Sequence, residues 1–274
     1  MLQSNTTSPR FRPEQPFFVV SGEYYCEREW GDDGVSLFYG LRPGENSNLT
    51  LAIPDGCTDI LFDCDVDQPL ARVCGTTLAA REANLQAGHR YFGVRFMPGV
   101  MPDFLDLVPA DLPDHEFRFL DVAPGACDVV EKISLAAFFS QQIALFTHRF
   151  APHCLRRSSS ITPYLLKVIR HQRGNIRIDD MEKTTGYTCR SIQRHFRQDT
   201  GMSPKAFCRI MRFQSAIHTL NYTGAPSFTM LAQELGYSDQ SHFLREFKRL
   251  SHTTPGDYHR QIIRQGYGAR ITQG

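Results

Sequence analysis

The chain has 274 residues, of which 41% are hydrophobic and 22% charged, and this balance excludes a disordered or fibrous protein while allowing about two domains. The formal net charge of +1 favours no class of partner, but it conceals an asymmetry. Residues 1–150 hold 11 basic and 21 acidic side chains, and residues 151–274 hold 19 and 8, so the halves carry −10 and +11. This division indicates an acidic module joined to a nucleic-acid-binding one, with two soluble domains of unequal charge as the alternative.

The compartment is predicted from what the sequence lacks. The first twenty residues have neither the basic start nor the continuous apolar core of a signal peptide, and no stretch reaches the roughly 18 apolar residues of a membrane span. The eight cysteines are scattered without any C-x-x-C pair, which argues against a zinc site and favours reduced thiols. We therefore expect a cytoplasmic location, no membrane partner, and no metal or other cofactor.

Short strands between turn signals fill the region from Phe17 to about Phe96. Five segments are rich in β-branched or aromatic residues: FFVVSGEYYC, VSLFYG, NLTLAI, TDILFD and ARVCGTT. Two further strand segments are ANLQAG and HRYFGVRFMPG. Asp55-Gly56 lies between two of these segments, as a hairpin turn would. Seven or eight strands at this spacing predict a small β-barrel or sandwich.

The charged residues of this region predict no catalytic centre. In HRYFGVRF, alternation places Phe92, Val94 and Phe96 on one face, and Tyr91 and Arg95 on the other. The acidic residues have no basic partner nearby in the sequence, which favours a solvated edge; they are Asp55, Asp59, Asp63, Asp65 and Asp67. His89 and His115 are isolated, so structural or exposed roles are expected rather than metal binding. No enzyme activity is predicted.

Helices are predicted after Pro98-Gly99. Met101–Val108 and Cys127–Ile133 are short candidates, and Leu135–Phe150 is a longer one with an extensive apolar surface. That surface fits packing against the strands or a helical dimer interface equally well. Residues 156–160, RRSSS, are polar and aperiodic, as expected of a linker.

An internal repeat dominates the basic half. IDDMEKTTGYTCRSIQRHF, from Ile178, aligns with FTMLAQELGYSDQSHFLREF, from Phe228, at a spacing of 50 residues before the turn and 51 after it. Each copy predicts a helix, a tight turn at Gly186 or Gly236, and a second helix. In the second copy, Ser227 is a candidate cap of the first helix.

Each second helix has one apolar and one polar face. Ile192 and Phe196, or Phe243 and Phe247, lie four residues apart on the apolar side. The polar sides carry Arg, Gln, Lys, His and Ser, and the Arg and Gln side chains among them can read base edges. The predicted DNA-binding residues are Arg190, Gln193, Arg194 and Arg197 in the first unit, and Gln240, Ser241, His242, Arg245, Lys248 and Arg249 in the second.

A long helix joins the two units. Ser203–Asn221 reads as one helix about 28 Å long, at about 1.5 Å per residue. Helices held that far apart suit successive major-groove faces, which recur about 34 Å apart. Thr162-Pro163 predicts a capped start for a further helix, Tyr164–Arg173, before the first unit.

From Tyr164 to about Ile263 the chain resembles the AraC/XylS family of bacterial transcription regulators. The most specific segments are LAQELGYSDQSHFLREFKR and TTPGDY. The resemblance implies two helix-turn-helix subdomains on a long helix, with base-facing positions Arg190, Gln193 and Arg194, then Gln240, Ser241, His242 and Arg245. The chain departs from the family pattern by Arg177 at a capping position, Glu182 in place of a small alanine, and His252 in place of a glycine.

The N-terminal half resembles, more weakly, the cupin-like sensor domains found in this family, through IPDGCTDILFD and YFGVRFMPG. The resemblance implies small-molecule sensing by the strands and dimerisation by the helices that follow.

The predicted fold is therefore α+β. Residues 1–155 form a cupin-like β-barrel or sandwich with flanking helices, residues 156–160 a linker, and residues 161–274 an all-α domain of two helix-turn-helix subdomains joined by a long helix.

The predicted function is sequence-specific regulation of transcription. The partners are double-stranded promoter DNA, RNA polymerase, a small-molecule effector and a second copy in a homodimer. Activation is the family-based expectation, and repression is its alternative. The rival hypotheses are an N-terminal enzyme, or a module for protein–protein contacts alone, fused to a DNA-binding tail.

Overall fold

The strands lie in the first half of the chain and the second half is helical, apart from one short strand at its end. The structure is a computed structural model that describes residues 12–30, 34–44, 50–65, 67–153, 158–223 and 227–274. The predicted α+β class is confirmed. Residues 156 and 157 of the predicted linker lie outside the described residues, and the domain boundaries stay a prediction.

Most strands join one sheet. The strands are β1 (Gly22–Glu29), β2 (Val35–Pro43), β3 (Leu51–Ala52), β4 (Asp59–Asp63), β5 (Leu70–Cys74), β6 (Arg81–Glu82), β7 (Tyr91–Phe96), β8 (Glu116–Arg118) and β9 (Thr272–Gln273). Seven of them form a sheet in the order β8-β5-β4-β7-β2-β1-β9, while β3 pairs with β6. Neighbouring strands are antiparallel, except that β9 runs parallel to β1.

One predicted strand segment is wrong, and another is wrong in its first part. The FFVV part of the first segment forms helix α1 (Pro16–Ser21), whose first turn contains a proline with a preset helical φ. All its residues from Pro16 to Val20 are buried, and a fully apolar run cannot distinguish a strand from a helix. The segment ANLQAG is a loop, because the residues that pair with β3 are those just before it, Arg81–Glu82.

The predicted hairpin turn at Asp55-Gly56 has another role. Gly56 does adopt a left-handed φ of 78°. However, β3 pairs with β6, and β4 pairs with β5 and β7, so the turn joins two sheets. It carries the chain from the small sheet into the large one. We call Ile53–Cys57 the crossing turn.

Among the described residues, eleven further α-helices lie between β8 and β9. They are α2 (Phe119–Val122), α3 (Cys127–Leu135), α4 (Phe139–Phe150), α5 (Ile161–His171), α6 (Ile178–Thr185), α7 (Cys189–Thr200), α8 (Pro204–Tyr222), α9 (Phe228–Glu234), α10 (Gln240–Ser251), α11 (Pro255–Arg264) and α12 (Tyr267–Arg270). The predicted helix Met101–Val108 is wrong: Met101 and Leu105 are buried, but the segment is irregular. The prolines at 102 and 109 interrupt helical hydrogen bonding there.

Helix α4 packs against the large sheet. Ile143, Phe146 and Phe150 are buried, and the Phe146 ring lies edge-on to Phe38 at 5.9 Å between centroids. Of the two roles predicted for this apolar surface, packing against the strands is the one observed. Leu135 and Phe138, at the elbow between α3 and α4, are exposed. The homodimer stays a prediction.

The hydrophobic core continues from the sheet into the second helix-turn-helix unit. Tyr39 and Tyr91 on the sheet belong to the same buried cluster as Phe213, Phe247 and Tyr258. By contrast, the buried residues of the first unit form a separate cluster within α5–α8, together with Met202. The strand-bearing half and the second helix-turn-helix unit therefore share one hydrophobic core.

Buried polar contacts reinforce this junction at helix α8. The Glu14 carboxylate is only 2% exposed and accepts hydrogen bonds from Asn221 and the Tyr267 hydroxyl. Its Oε1 lies 2.6 Å from the Nδ1 atom of His218. The Gln214 amide on α8 donates to the Pro54 carbonyl in the crossing turn at 2.8 Å. Helix α8 is thus held directly by the strand-bearing half.

Candidate nucleic-acid interface and buried pocket

Each helix-turn-helix unit is shaped by a left-handed glycine and a capped second helix. Gly186 and Gly236 have φ values of 72° and 71°, as predicted. Thr188 accepts a hydrogen bond from the Ser191 amide to start α7, and Asp239 accepts one from the His242 amide to start α10. That bond from the His242 amide is the main reason the pKa of Asp239 is lowered. The Ser227 side chain makes no capping hydrogen bond, so that prediction is wrong.

Glu182, which departs from the family pattern, has a defined structural role. Its carboxylate accepts a hydrogen bond from the backbone amide of Cys189, the first residue of α7. This satisfies an amide that has no partner inside the helix, and a negative charge suits a helix N-terminus. The carboxylate therefore links the two helices where the family has a small side chain. Arg177, the other departure in this unit, makes no side-chain cap.

The predicted DNA-binding residues lie on the outer faces of α7 and α10. Ile192 and Phe196 are buried beneath α7, and Phe243 and Phe247 beneath α10. Nine of the ten predicted side chains are exposed: Arg190, Gln193, Arg194, Arg197, Gln240, Ser241, Arg245, Lys248 and Arg249. His242 is half-buried, with its Nδ1 atom 3.1 Å from the Ser238 hydroxyl.

Helix α8 sets the separation of the two exposed faces. It spans 19 residues from Pro204 to Tyr222, close to the predicted Ser203–Asn221, and its N-terminus is capped by Ser203. At about 1.5 Å per residue its length is about 28 Å. Helix α5 begins at Ile161, three residues before the predicted start, and Thr162 donates to the Asp199 carboxylate on α7. Helix α7 of the first unit is therefore tied to α5.

A second candidate site lies between the sheets of the N-terminal half. Arg95 on β7 is 2% exposed, and its guanidinium donates twice to Asp59 on β4, at 3.0 and 2.7 Å. These residues face each other directly across the two strands. The Tyr39 hydroxyl donates to Asp59 at 2.8 Å, and Asp55 in the crossing turn lies 3.5 Å from Arg95. The cluster borders a cavity of about 50 Å³.

Burial dominates the electrostatics of this pocket. It raises the pKa of Asp55, although the charge of Arg95 opposes the shift. It also raises the pKa of the Cys57 thiol and of the Tyr39 hydroxyl, both of which line the cavity. Burial acts to lower the pKa of Arg95, but the charges of Asp59 and Asp55 outweigh it, so the guanidinium stays protonated.

The predicted solvated edge of aspartates is wrong for Asp55 and Asp59, which are buried against Arg95. The alternation in β7 had placed Arg95 only on the face opposite Phe92 and Phe96. Asp63 and Asp65 lie within 3.0 and 3.7 Å of the His89 ring nitrogens, so His89 is not isolated. Arg95 is the residue that could have revealed this buried cluster from the sequence. It lies inside an otherwise apolar strand, and a charged residue there is buried only with a partner.

Close packing around the pocket depends on glycine at one position. A Cβ atom on Gly93 would lie 2.0 Å from the Tyr39 ring, so only glycine lets that ring cross β7 toward Asp59. Within the described ranges, no group of three or more His, Cys, Asp or Glu side chains is placed to bind a metal ion. No helix among those residues is long and apolar enough to cross a membrane.

Comparison with known families assigns the repeat. Residues 181–261 match a family described as a helix-turn-helix domain, and this match extends from the first unit to the end of the second. Curated relatives include the HTH-type transcriptional activator RhaS of Escherichia coli strain SE11, which is 28% identical over 143 residues. Over this region the chain is similar to the transcription regulators of the AraC/XylS family, as its motifs predicted. Residues 35–118 match a domain of unknown function, DUF6597.

The relatives cover only part of this chain. The alignment with RhaS includes 52% of the chain and 49% of RhaS, so the chain spans about half the length of the curated relatives it matches. A probable AraC family transcriptional regulator from Rhodopseudomonas palustris CGA009 is 25% identical over 38% of this chain and 98% of its own, with a TM-score of 0.34. A ToxT variant from Vibrio cholerae strain SCE256 covers 86% of this chain and 100% of its own at 10% identity and a TM-score of 0.45.

Proposed function

We propose that this chain is a sequence-specific DNA-binding transcription regulator. The observation that carries the proposal is the pair of matched helices, α7 and α10, whose basic faces are exposed on either side of α8. Both helices belong to residues 151–274, which together carry a net charge of +11. A basic surface with arginine and glutamine on two helices suits successive major-groove faces.

The proposed contacts divide into two kinds. Arg190, Gln193 and Arg194 on α7 approach base edges, as do Gln240, Ser241, His242 and Arg245 on α10. Arg197, Lys248 and Arg249 lie further along the two helices and contact phosphates. Arg249 has a weak ion pair with Glu246 at 3.6 Å, which leaves the guanidinium 65% exposed and open to DNA.

Selection of duplexes from a random pool by the purified full chain tests this proposal. We expect one enriched motif with two half-sites about 10 base pairs apart, because the two helices face successive major grooves. Fluorescence anisotropy on the enriched duplex then measures the salt dependence of Kd. The slope should correspond to roughly six to ten phosphate contacts. No enrichment, or an affinity that does not change with salt, would contradict the proposal.

We further propose that the buried pocket senses a small molecule and passes its occupancy to helix α8. Asp55 borders the cavity, while its neighbours in the crossing turn contact α8. The Pro54 carbonyl accepts from Gln214, and Gly56 packs against Met211 and Phe207, which lie 3.1 Å from the position of a Cβ on that glycine. A ligand that moves Asp55 would therefore move a turn on which α8 rests.

Such coupling requires a ligand that binds two states of the chain with different affinity. The test is the Kd for the enriched duplex, measured with and without a compound that raises the Tm of the full chain. A change in Kd supports sensing, whereas an unchanged Kd for every stabilising compound contradicts it. The Gln214→Leu variant should reduce the change in Kd, because it removes the hydrogen bond to Pro54. Thr219→Val, elsewhere on α8, is the matched control.

We also propose that the chain activates transcription by contacting RNA polymerase, as its resemblance to the AraC/XylS family implies. A reporter gene placed downstream of the enriched duplex tests the sign of regulation. Higher expression in the presence of the chain supports activation, and lower expression supports repression.

A further inference from the structure

The cavity beside Asp55 limits the size of any ligand. Its volume is about 50 Å³, and on this measure one water molecule needs about 10–15 Å³, so the cavity holds about four groups of water size. The inner wall consists of buried residues such as Tyr39, Cys57 and Arg95. A sugar ring or a fatty acid is too large for this space without a rearrangement of the wall.

The inner wall holds more negative than positive charge. Asp55 and Asp59 are 4% and 8% exposed, and the cation between them is Arg95. Arg95 is engaged mainly by Asp59, through two hydrogen bonds, and reaches Asp55 only at 3.5 Å. The closest partners of Asp55 are neutral: the Gln15 amide at 2.8 Å and the Cys57 backbone amide at 2.9 Å. A buried carboxylate that shares its one cation with a second carboxylate is costly, so a cationic ligand would be favoured there.

A second feature of the same cavity also indicates a missing partner. Thr77 lines the cavity and is only 4% exposed, yet its hydroxyl oxygen has no hydrogen-bond partner among the described residues. Buried hydroxyl groups in folded proteins nearly always have a partner. A ligand with several N–H groups can donate to Thr77 and to Asp55 together.

The outer wall of the cavity disfavours an anion. Arg72 and Arg81 also line it, but both donate to the Glu116 carboxylate, at 3.1 and 2.6 Å. Each guanidinium also donates to a backbone carbonyl, that of Asn84 or Asp114. Their positive charge is therefore already engaged, whereas Asp55 on the inner wall has only a 3.5 Å ion pair with Arg95, which it shares with Asp59.

We infer that this pocket binds a compact organic amine whose ammonium group donates to Asp55 and Thr77. The inference rests on the proposed sensing role and names the chemical class of its ligand. Ethanolamine is a suitable probe, because its four non-hydrogen atoms fit the cavity and its ammonium carries three N–H donors. Ethylene glycol is its neutral counterpart of the same size, and glycolate is an anion of similar size.

The experiment compares these three probes on the full chain at millimolar concentration, by thermal shift and by calorimetry. We expect ethanolamine to raise the Tm, because a ligand that binds only the folded state stabilises it. The two controls should leave the Tm unchanged. Stabilisation by ethylene glycol or glycolate instead of ethanolamine would overturn the amine class while leaving sensing intact. No stabilisation by any of the three would also overturn the amine class. DNA binding is measured in a separate assay, so this result would leave the proposed DNA-binding function intact.

Two conservative variants test the site itself. Asp55→Asn removes the charge, and Thr77→Val removes the hydroxyl at nearly constant shape. We expect each to weaken ethanolamine binding at least tenfold while the circular dichroism spectrum shows that the fold is kept. Asp128→Asn is the matched control, because Asp128 is exposed on α3 and pairs with Lys132. Full binding by both pocket variants would place the amine elsewhere and overturn the inference.

Discussion

The two helix-turn-helix units follow one sequence plan but pack into different surroundings. The tyrosine after the turn glycine shows the difference: Tyr187 in the first unit is 42% exposed, whereas Tyr237 in the second is 7% exposed with the Arg212 guanidinium 4.8 Å above its ring. The first unit has its own small core, while the second shares a core with the sheet. A repeat in sequence therefore does not imply equal coupling to the rest of the molecule.

The first unit contacts the strand-bearing half at closely packed glycines, with Gly56 against Met211 and Phe207 and Gly99 against Leu166. Gly201, which ends α7 with a φ of 74°, packs so closely on the Pro109 carbonyl that a Cβ atom would lie 2.0 Å from the oxygen. The contact is short and local, unlike the shared core beneath the second unit. We therefore expect the first unit to move more independently than the second.

Truncation of a core phenylalanine in each unit should give the largest effect. Phe196→Ala and Phe247→Ala both remove a fully buried ring, and each should lower the free energy of unfolding by about 3–5 kcal/mol. Hydrogen exchange separates the two variants. Phe247→Ala should also reduce amide protection in α1 and β2, whose residues share its core, whereas Phe196→Ala should not. Equal protection of α1 and β2 in both variants would remove the distinction between the units.

The contact at Pro109 should give the next effect. Gly201→Ala introduces a side chain in a left-handed conformation and against a carbonyl, so we expect a loss of about 2–3 kcal/mol by chemical denaturation. Gly186→Ala is the control, because its φ of 72° is similar but nothing lies within 4 Å of its Cβ position. It should cost only about 1 kcal/mol. Equal losses of stability in the two variants would show that the loop at Pro109 shifts to make room for the added methyl group at no energetic cost.

The two proposed base-reading arginines should have effects of similar size on DNA binding. Arg194→Ala and Arg245→Ala are each expected to cost about 1–3 kcal/mol in affinity and to relax base preference at one position. Competition with singly substituted duplexes measures both quantities, and Lys132→Ala, an exposed change on α3, is the control. Equal weakening on every duplex would mean that the arginines contact only phosphates.

The smallest effect is a gain in stability at the position equivalent to Gly201. His252 ends α10 with a φ of 61°, a conformation in which a Cβ costs about 1–2 kcal/mol. His252→Gly should therefore raise the Tm, with a net gain of about 0.5–1 kcal/mol after the greater chain entropy of glycine. An unchanged or lower Tm would show that the imidazole makes a compensating contact.

The outer faces of α7 and α10 could be predicted because they depend on local periodicity. Ile192 and Phe196 are four residues apart, and that spacing alone determines which side of the helix faces outward. The pocket could not be predicted in this way. Asp59 and Arg95 are 36 residues apart in the chain, and only the pairing register of β4 with β7 brings them together. The junction between the halves was missed for the same reason, since the contact of Glu14 with Asn221 crosses 207 residues.

The parallel pairing of β9 with β1 has a consequence for how the chain folds. Cys26 is aligned with Thr272, and the Gly274 amide donates to the Glu27 carbonyl, so residues about 245 positions apart complete one edge of the sheet. During synthesis this edge stays uncovered until residues 272–274 have left the ribosome. Contacts of such long sequence separation slow folding, and they leave apolar surfaces and an unpaired strand edge exposed for longer. Chaperone demand during synthesis should therefore fall mainly on the first half of the chain.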